Sequence, residues 1–289
     1  MSDPAPLTAA EAVRLAREAL EGGEPMASVT VIDVRGDGAA TAAGARMAVW
    51  RGRTRGTLGD PALDEAAAAF AREALAAGTR VKTREVEAGG AAVTLYAEPH
   101  RAPPELVIVG AGHIARPLCR VGALLGFRVT VLDDRPEFAT RERFPEASEV
   151  RRADFSEPLR DVPMGPQTRL VLVTRGHKYD FEALRDVLRR PELPAYVGMV
   201  GSRRRTRAAL EQLVREGIGP ERIAAVRAPV GLDVRAETPE EIAISIAAEL
   251  VLLRRGGTGR PLRETERVFE RWVERRGEEP PRNPPPAEP

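Results

Sequence analysis

The chain has 289 residues, 43% hydrophobic and 30% charged, with a formal net charge of +1. That profile belongs to a globular protein of one or two domains and excludes a disordered chain, while the near-zero charge argues against a nucleic-acid binder. No apolar run approaches the ~18 residues of a membrane span, the first twenty residues lack the apolar stretch of a signal peptide, and the single cysteine, Cys119, leaves no internal disulfide. The expectation is a cytoplasmic protein with no membrane or nucleic-acid partner.

Thr8-Ala9-Ala10-Glu11 has capping-box spacing and predicts a helix running to Leu20. Met26–Val34 and Ala45–Trp50 read as strands on either side of a glycine-rich segment, and Leu63–Ala76 as a second helix. Arg80–Glu87 and Ala91–Ala97 flank Ala88-Gly89-Gly90, a hairpin signal. Residues 1–98 are thus expected to form a small α+β domain, followed by a proline-containing linker over 99–104. The pattern then changes. Leu106–Gly110, Val129–Asp133, Leu170–Thr174 and Ala195–Val200 are short apolar runs of the kind found in buried parallel strands. Helical stretches at Ile114–Leu125, Asp180–Arg189 and Arg203–Glu216 alternate with them, which implies a parallel sheet covered on both faces. Thr238-Pro239-Glu240-Glu241 starts a further helix whose apolar face carries Ile242, Ile246, Leu250 and Leu253. The fold class is therefore α/β, with a Rossmann-type domain over 105–275 that ends in an amphipathic helix at 261–275, using Val268, Phe269 and Trp272. The proline-rich residues 276–289 read as a disordered tail.

The strongest local signal is Leu106-Val107-Ile108-Val109-Gly110-Ala111-Gly112-His113-Ile114-Ala115. Gly110 permits a tight turn, Gly112 lets backbone approach a pyrophosphate, and Ala115 allows close helix–strand packing. The helix N-terminus that follows offers bare N–H groups and a positive dipole end to an anion. His113 could meet a phosphate or face solvent. Asp133, at the end of the next strand, could accept from ribose hydroxyls, as in NAD-binding proteins; Arg135 close by leaves NADP open.

A second constellation, Tyr196-Val197-Gly198-Met199-Val200-Gly201-Ser202-Arg203-Arg204-Arg205, again runs strand, glycine turn, helix. Ser202 is a natural N-cap. Arginines in a first helical turn oppose the macrodipole, an arrangement that a bound anion at Gly201, Ser202, Arg203 and Arg204 would reverse in sign and a solvated basic face would not need. Pro229-Val230-Gly231-Leu232-Asp233 supplies a glycine and a carboxylate on another loop, so Gly231 and Asp233 are candidates to line the same crevice. Thr174, at a further strand end, joins them, since ligands of open α/β sheets bind at the carboxyl ends of strands. Asp180 and His177 lie just beyond it, readable as a helix start and a surface side chain. The sequence has no GxSxG, HExxH, P-loop or CxxC motif and only three histidines. No catalytic residue and no metal site is expected.

These three constellations, following a small α+β domain, resemble the XdhC/CoxI family of maturation factors for molybdenum hydroxylases. The matching stretches are Gly110–Ala115, Tyr196–Arg205, and Pro229–Asp233 with Thr238-Pro239-Glu240-Glu241-Ile242-Ala243; Gly44–Val49 and Gly56–Gly59 are similar to the family's N-terminal domain. The chain departs from the family at Gly59-Asp60-Pro61-Ala62-Leu63-Asp64, where many relatives carry cysteine and then glutamate; Ala62 has no thiol and Asp64 is a shortened carboxylate. The resemblance implies a protein, alone or as a homodimer, that carries molybdenum cofactor (molybdopterin or its dinucleotide) to the large subunit of an apo molybdenum hydroxylase. In that reading the N-terminal domain closes over a ligand held at the carboxyl end of the sheet. The alternatives are an NAD(H)-dependent oxidoreductase and a regulatory nucleotide-binding module, with NAD(P) as the alternative cofactor.

Overall fold

The structure is a computed structural model that describes residues 5–77, 82–268 and 271–272. In the N-terminal domain, α1 (Ala9–Leu20) begins at the expected capping box, with Thr8 accepting from the Glu11 N–H and the Glu11 carboxylate reaching back to Thr8. Strands β1 (Met26–Arg35), β2 (Arg46–Val49), β3 (Thr54–Gly56), β4 (Lys82–Ala88) and β5 (Ala91–His100) form an antiparallel sheet in the order β3-β2-β1-β5-β4, and α2 (Pro61–Ala77) lies between β3 and β4 in the chain. Strand alternation divides the apolar side chains between two layers. Ala27, Val29 and Val31 of β1 pack with Phe70 and Ala71 of α2, whereas Met26 packs with Leu15 and Ala19 of α1 on the other face.

β5 continues to His100, two residues past the expected edge of the domain. Its pairing with β4 ends at Ala97, so Pro99 lies where β1 is its only described neighbour, a position where the missing N–H costs no ladder bond on the other side.

The C-terminal domain has six parallel strands: β6 (Glu105–Val109), β7 (Arg128–Asp133), β8 (Glu149–Arg152), β9 (Thr168–Leu172), β10 (Tyr196–Met199) and β11 (Val226–Arg227). Their spatial order is β8-β7-β6-β9-β10-β11, which is 3-2-1-4-5-6 counted within the domain, the doubly wound Rossmann order. Helices α3 (Ala115–Leu124) and α7 (Pro239–Arg255) cover one face through Leu106, Ile108, Val129 and Val171; α4 (His177–Arg189) and α5 (Arg203–Arg215) cover the other through Val107, Val109, Leu170 and Leu172. Burial on both faces is why these strands read as unbroken apolar runs. The short α6 (Pro220–Ile223) precedes β11, and α8 (Leu262–Glu266) follows α7. No helix among the described residues is long and apolar enough to cross a membrane.

Of the helix expected over 261–275, α8 forms the first part and ends at Arg267, whose φ of +46° breaks the run; residues 268, 271 and 272 are helical again. Val268 and Trp272, expected to form its apolar face, are exposed. Phe269, residues 273–275 and the expected tail lie outside the described residues, as does Arg80.

Glu105 and Thr168, the first residues of β6 and β9, line a cleft of about 970 Å³ together with Arg51 and Arg72 of the N-terminal domain. That domain therefore adjoins the amino edge of the parallel sheet. The expectation that it closes over the carboxyl edge is not met within one chain, because the short link after His100 enters β6 at its amino end and fixes the domain there.

Candidate functional site

The chain winds outward from β6 to β8 and then returns to β9 beside β6, so the switch point lies between β6 and β9, with its crevice at their carboxyl ends. Gly110 occupies that position with φ +104°, and a Cβ there would lie 2.6 Å from the Val173 carbonyl oxygen, so glycine is required on both counts. Gly112 is different. Its backbone is ordinary and a Cβ would meet no protein atom within 4 Å, leaving open space above it. The N–H groups of Gly112, His113 and Ile114 have no acceptor among the described residues, and α3 starts without a side-chain cap. His113 is exposed and Ala115 fully buried against the sheet. Together these are the parts of an anion-binding turn.

Asp133 is 1% exposed, and its carboxylate is fully engaged within the protein. Oδ2 accepts from the Ala111 N–H at 2.6 Å and from Arg135 Nη2 at 3.0 Å; Oδ1 accepts from the Arg135 N–H and Nε at 3.0 and 2.9 Å. A carboxylate offers about four lone-pair sites, so Asp133 holds the turn in place and has none left for a ribose. Arg143 reaches the Ala111 carbonyl oxygen at 3.3 Å, and Arg135 and Arg143 both lie over the Phe138 ring. Asp134 makes a two-pronged ion pair with Arg175 at 2.6 and 2.7 Å. Since β6 lies between β7 and β9, this pair bridges over the carboxyl end of β6; Arg175's hydrogen bonds hold the Asp134 carboxyl below its ordinary range.

Thr174, beside Gly110, belongs to a buried cluster. Asp180 is 0% exposed and accepts from Thr174 Oγ1 and from Arg205 Nε, each at 2.6 Å, while Arg205 Nη2 also donates to the Thr174 carbonyl oxygen at 3.1 Å. The expected arginine cluster therefore divides. Arg205 turns inward to tie α5 to the end of β9, whereas Arg203 and Arg204 remain exposed in the first turn. Ser202 caps α5, accepting from the Arg205 N–H at 3.3 Å, and Gly201 precedes it with room for a Cβ at ordinary contact distance. Asp180 is accordingly the centre of an ion pair and not merely a helix start. Of His177, only its place at the first residue of α4 is described.

The Pro229–Asp233 loop sits next along the edge, with Val230 N–H bonded to the Met199 carbonyl oxygen. Gly231 has φ +104° and no room for a Cβ, 2.4 Å from Ser245 Oγ. Its N–H donates to Glu249 Oε2 at 2.9 Å, which also accepts from the Tyr196 hydroxyl at 2.5 Å. Burial, and then this bond to Glu249, pushes the Tyr196 phenol well above its ordinary range. The loop is thus clamped by a buried acid on α7, and Asp233 beyond it is exposed. Glu249 was not expected as part of the site, and Tyr196 was read only as the strand residue that opens the second constellation. The available signal was a glutamate on the apolar stripe of α7, between Ile246 and Leu250. The candidate residues thus share one edge of the sheet, in the order Asp233, Gly231, Ser202, Thr174, Gly110, Asp133.

In the N-terminal domain, Asp64 accepts from Thr57 Oγ1 and the Leu58 N–H, both at 2.6 Å, fastening the Thr57–Gly59 turn to the first turn of α2; Ala62 is exposed beside it. Cys119 is buried in α3, and desolvation, reinforced by Glu146, pushes its thiol up to about 12. It should resist a neutral-pH thiol reagent until the domain unfolds; labelling of the native protein within minutes would show that α3 opens locally.

The strand order, the glycine turn and the capped helices α5 and α7 define the class: a Rossmann-domain protein carrying an antiparallel α+β domain at its amino side. The chain belongs to the XdhC and CoxI family, whose model matches residues 10–86 while that of the XdhC Rossmann domain matches residues 106–250. It is 34% identical over 171 residues to the uncharacterized protein YqeB of Escherichia coli (strain K12), covering 59% of this chain and 31% of that protein. It is 33% identical over 152 residues to a protein of Bacillus subtilis (strain 168) named as a probable xanthine dehydrogenase subunit, covering 53% of this chain and 43% of that one. The matched part is less than half the length of either curated relative. A solved structure described as a xanthine dehydrogenase from Bacillus halodurans shares the fold, with a TM-score of 0.50 at 21% identity over 86% of this chain and 96% of that chain.

Proposed function

We propose that the chain is an accessory maturation protein for a molybdenum hydroxylase of the xanthine dehydrogenase kind, taking molybdenum cofactor as cargo and passing it to the apo large subunit. The observation that carries this reading is the state of the glycine turn: three bare N–H groups and open space over Gly112 suit a phosphate, while the neighbouring Asp133 is committed to holding the turn. The pterin's phosphate would rest on Gly112–Ile114. Arg203 and Arg204 lie two strand spacings away, about 10 Å, close enough for their guanidinium forks to meet an extended ligand's second anionic group. The residues of this edge bind and orient; none is assigned a bond-making role. Nicotinamide dinucleotides also carry a pyrophosphate, but an NAD-type dehydrogenase would need a ribose acceptor that Asp133 no longer provides.

The test is anaerobic titration of the purified protein with molybdenum cofactor and, separately, with NADH. Tight cofactor binding with weak NADH binding is expected. The reverse pattern would replace this reading with an oxidoreductase. In the same assay Arg203→Ala with Arg204→Ala should weaken the phosphate-bearing ligand by about 1–3 kcal/mol per lost charged hydrogen bond. Unchanged affinity would remove α5 from the site.

A further inference from the structure

A large cleft lies at the other end of the sheet, between the two domains, and its cationic side chains are poorly compensated. Arg72 uses Nε to hold the Arg51 carbonyl oxygen at 3.2 Å, and Arg101 uses Nη2 to hold the Leu75 carbonyl oxygen at 2.7 Å. Both guanidinium groups are thereby anchored to backbone, with no carboxylate partner among the described residues. Arg51, which also lines the cleft, has no carboxylate within ion-pair distance among the described residues either. The cleft's two carboxylates do not neutralise them. Glu24 pairs with Arg53 at 3.1 Å, and Glu105 accepts from the Thr168 hydroxyl at 3.0 Å. Burial, and after it the charge of Arg255, lowers the basicity of Arg101, as burial and Arg254 do for Arg169 just beyond Gln167 of the cleft wall. One half-buried guanidinium, Arg101, and two exposed ones, Arg51 and Arg72, gathered without carboxylate partners at a cleft of about 970 Å³, are an arrangement that an oxyanion stabilises, because each fork can give two parallel N–H donors.

We infer that the interdomain cleft at the amino edge of the parallel sheet, lined by Arg51, Arg72 and Arg101, is a second binding site, specific for a small molecule bearing several phosphate or carboxylate groups. It is separate from the glycine turn, since it opens on the first residues of β6 and β9 while the turn follows their last. A ligand there touches both domains and would fix their relative position.

The test is calorimetric titration of the full chain with pyrophosphate and with citrate, carried out in Gly112→Val so that binding at the carboxyl edge does not contribute. At least one of the two anions should bind with one site per chain. Adding Arg72→Gln and Arg101→Gln should lower its affinity at least about tenfold, a change of ~1.4 kcal/mol. Pyrophosphate without citrate narrows the ligand to phosphates, and citrate without pyrophosphate to polycarboxylates. Because Arg101 also ties the inter-domain link to α2, Arg51→Gln, on an exposed side chain, provides a variant without that burden and should weaken binding severalfold at unchanged melting temperature. Failure of both anions to bind, or affinity indifferent to all three arginines, overturns the proposal and leaves the reading of the glycine turn untouched.

Discussion

Gly112→Val should lower the affinity for any phosphate-bearing ligand of the glycine turn by at least about a hundredfold, ~2.7 kcal/mol, while the melting temperature stays close to that of the parent. Both halves of this expectation come from the same geometry. Gly112 has an ordinary backbone conformation, and nothing of the protein lies within 4 Å of where a Cβ would be, so the fold has no reason to resist the substitution. The branched side chain instead fills the space an anion must enter to reach the N–H groups of Gly112–Ile114. Gly110→Val is the contrasting variant. At φ +104°, with the Val173 carbonyl oxygen 2.6 Å from the new Cβ, it should damage the fold itself. Ligand titration beside thermal melting separates the two outcomes. Binding that survives valine at 112 would mean that the turn is purely structural.

Arg205→Ala should destabilise the C-terminal domain by about 3–5 kcal/mol. Asp180 is 0% exposed and accepts from Arg205 Nε and the Thr174 hydroxyl, so the truncation leaves a buried carboxylate without its guanidinium. The penalty is that of a buried carboxylate deprived of its guanidinium and exceeds the worth of the pair itself. Asp180→Leu combined with Arg205→Met should therefore be milder than either polar truncation alone, since no lone charge remains inside. Equilibrium unfolding in denaturant reads both. A loss below about 1 kcal/mol in Arg205→Ala would mean that water reaches Asp180 and compensates.

Much of the Rossmann domain is legible in the sequence because its central strands are buried on both faces and two of its helices, α5 and α7, begin with side-chain caps. Leu106–Gly110, Val129–Asp133 and Thr238-Pro239-Glu240-Glu241 leave little room for another reading. Apart from the one-turn helix α6, the elements missed are edge strands. β3, β8 (Glu149-Val150-Arg151-Arg152) and the two-residue β11 each pair with one neighbour, carry polar side chains and give no apolar signal. The candidate site divides in the same way. Its glycine turn is local and readable, whereas the ties that hold it are long-range: Arg205 to Asp180 spans 25 residues and Tyr196 to Glu249 spans 53. No spacing rule predicts such pairs. It follows that a carboxylate in a suggestive position, Asp133, reads in sequence as a ligand contact when its side chain is spent inside the protein.

That saturated carboxylate has an entropic consequence. A flexible loop must surrender backbone freedom on capturing an anion, about 1–2 kcal/mol for each residue ordered. Here Asp133 bonds the Ala111 N–H and Arg143 grips the Ala111 carbonyl oxygen before any ligand arrives. The turn's conformation is settled during folding, and association need immobilise only the incoming molecule.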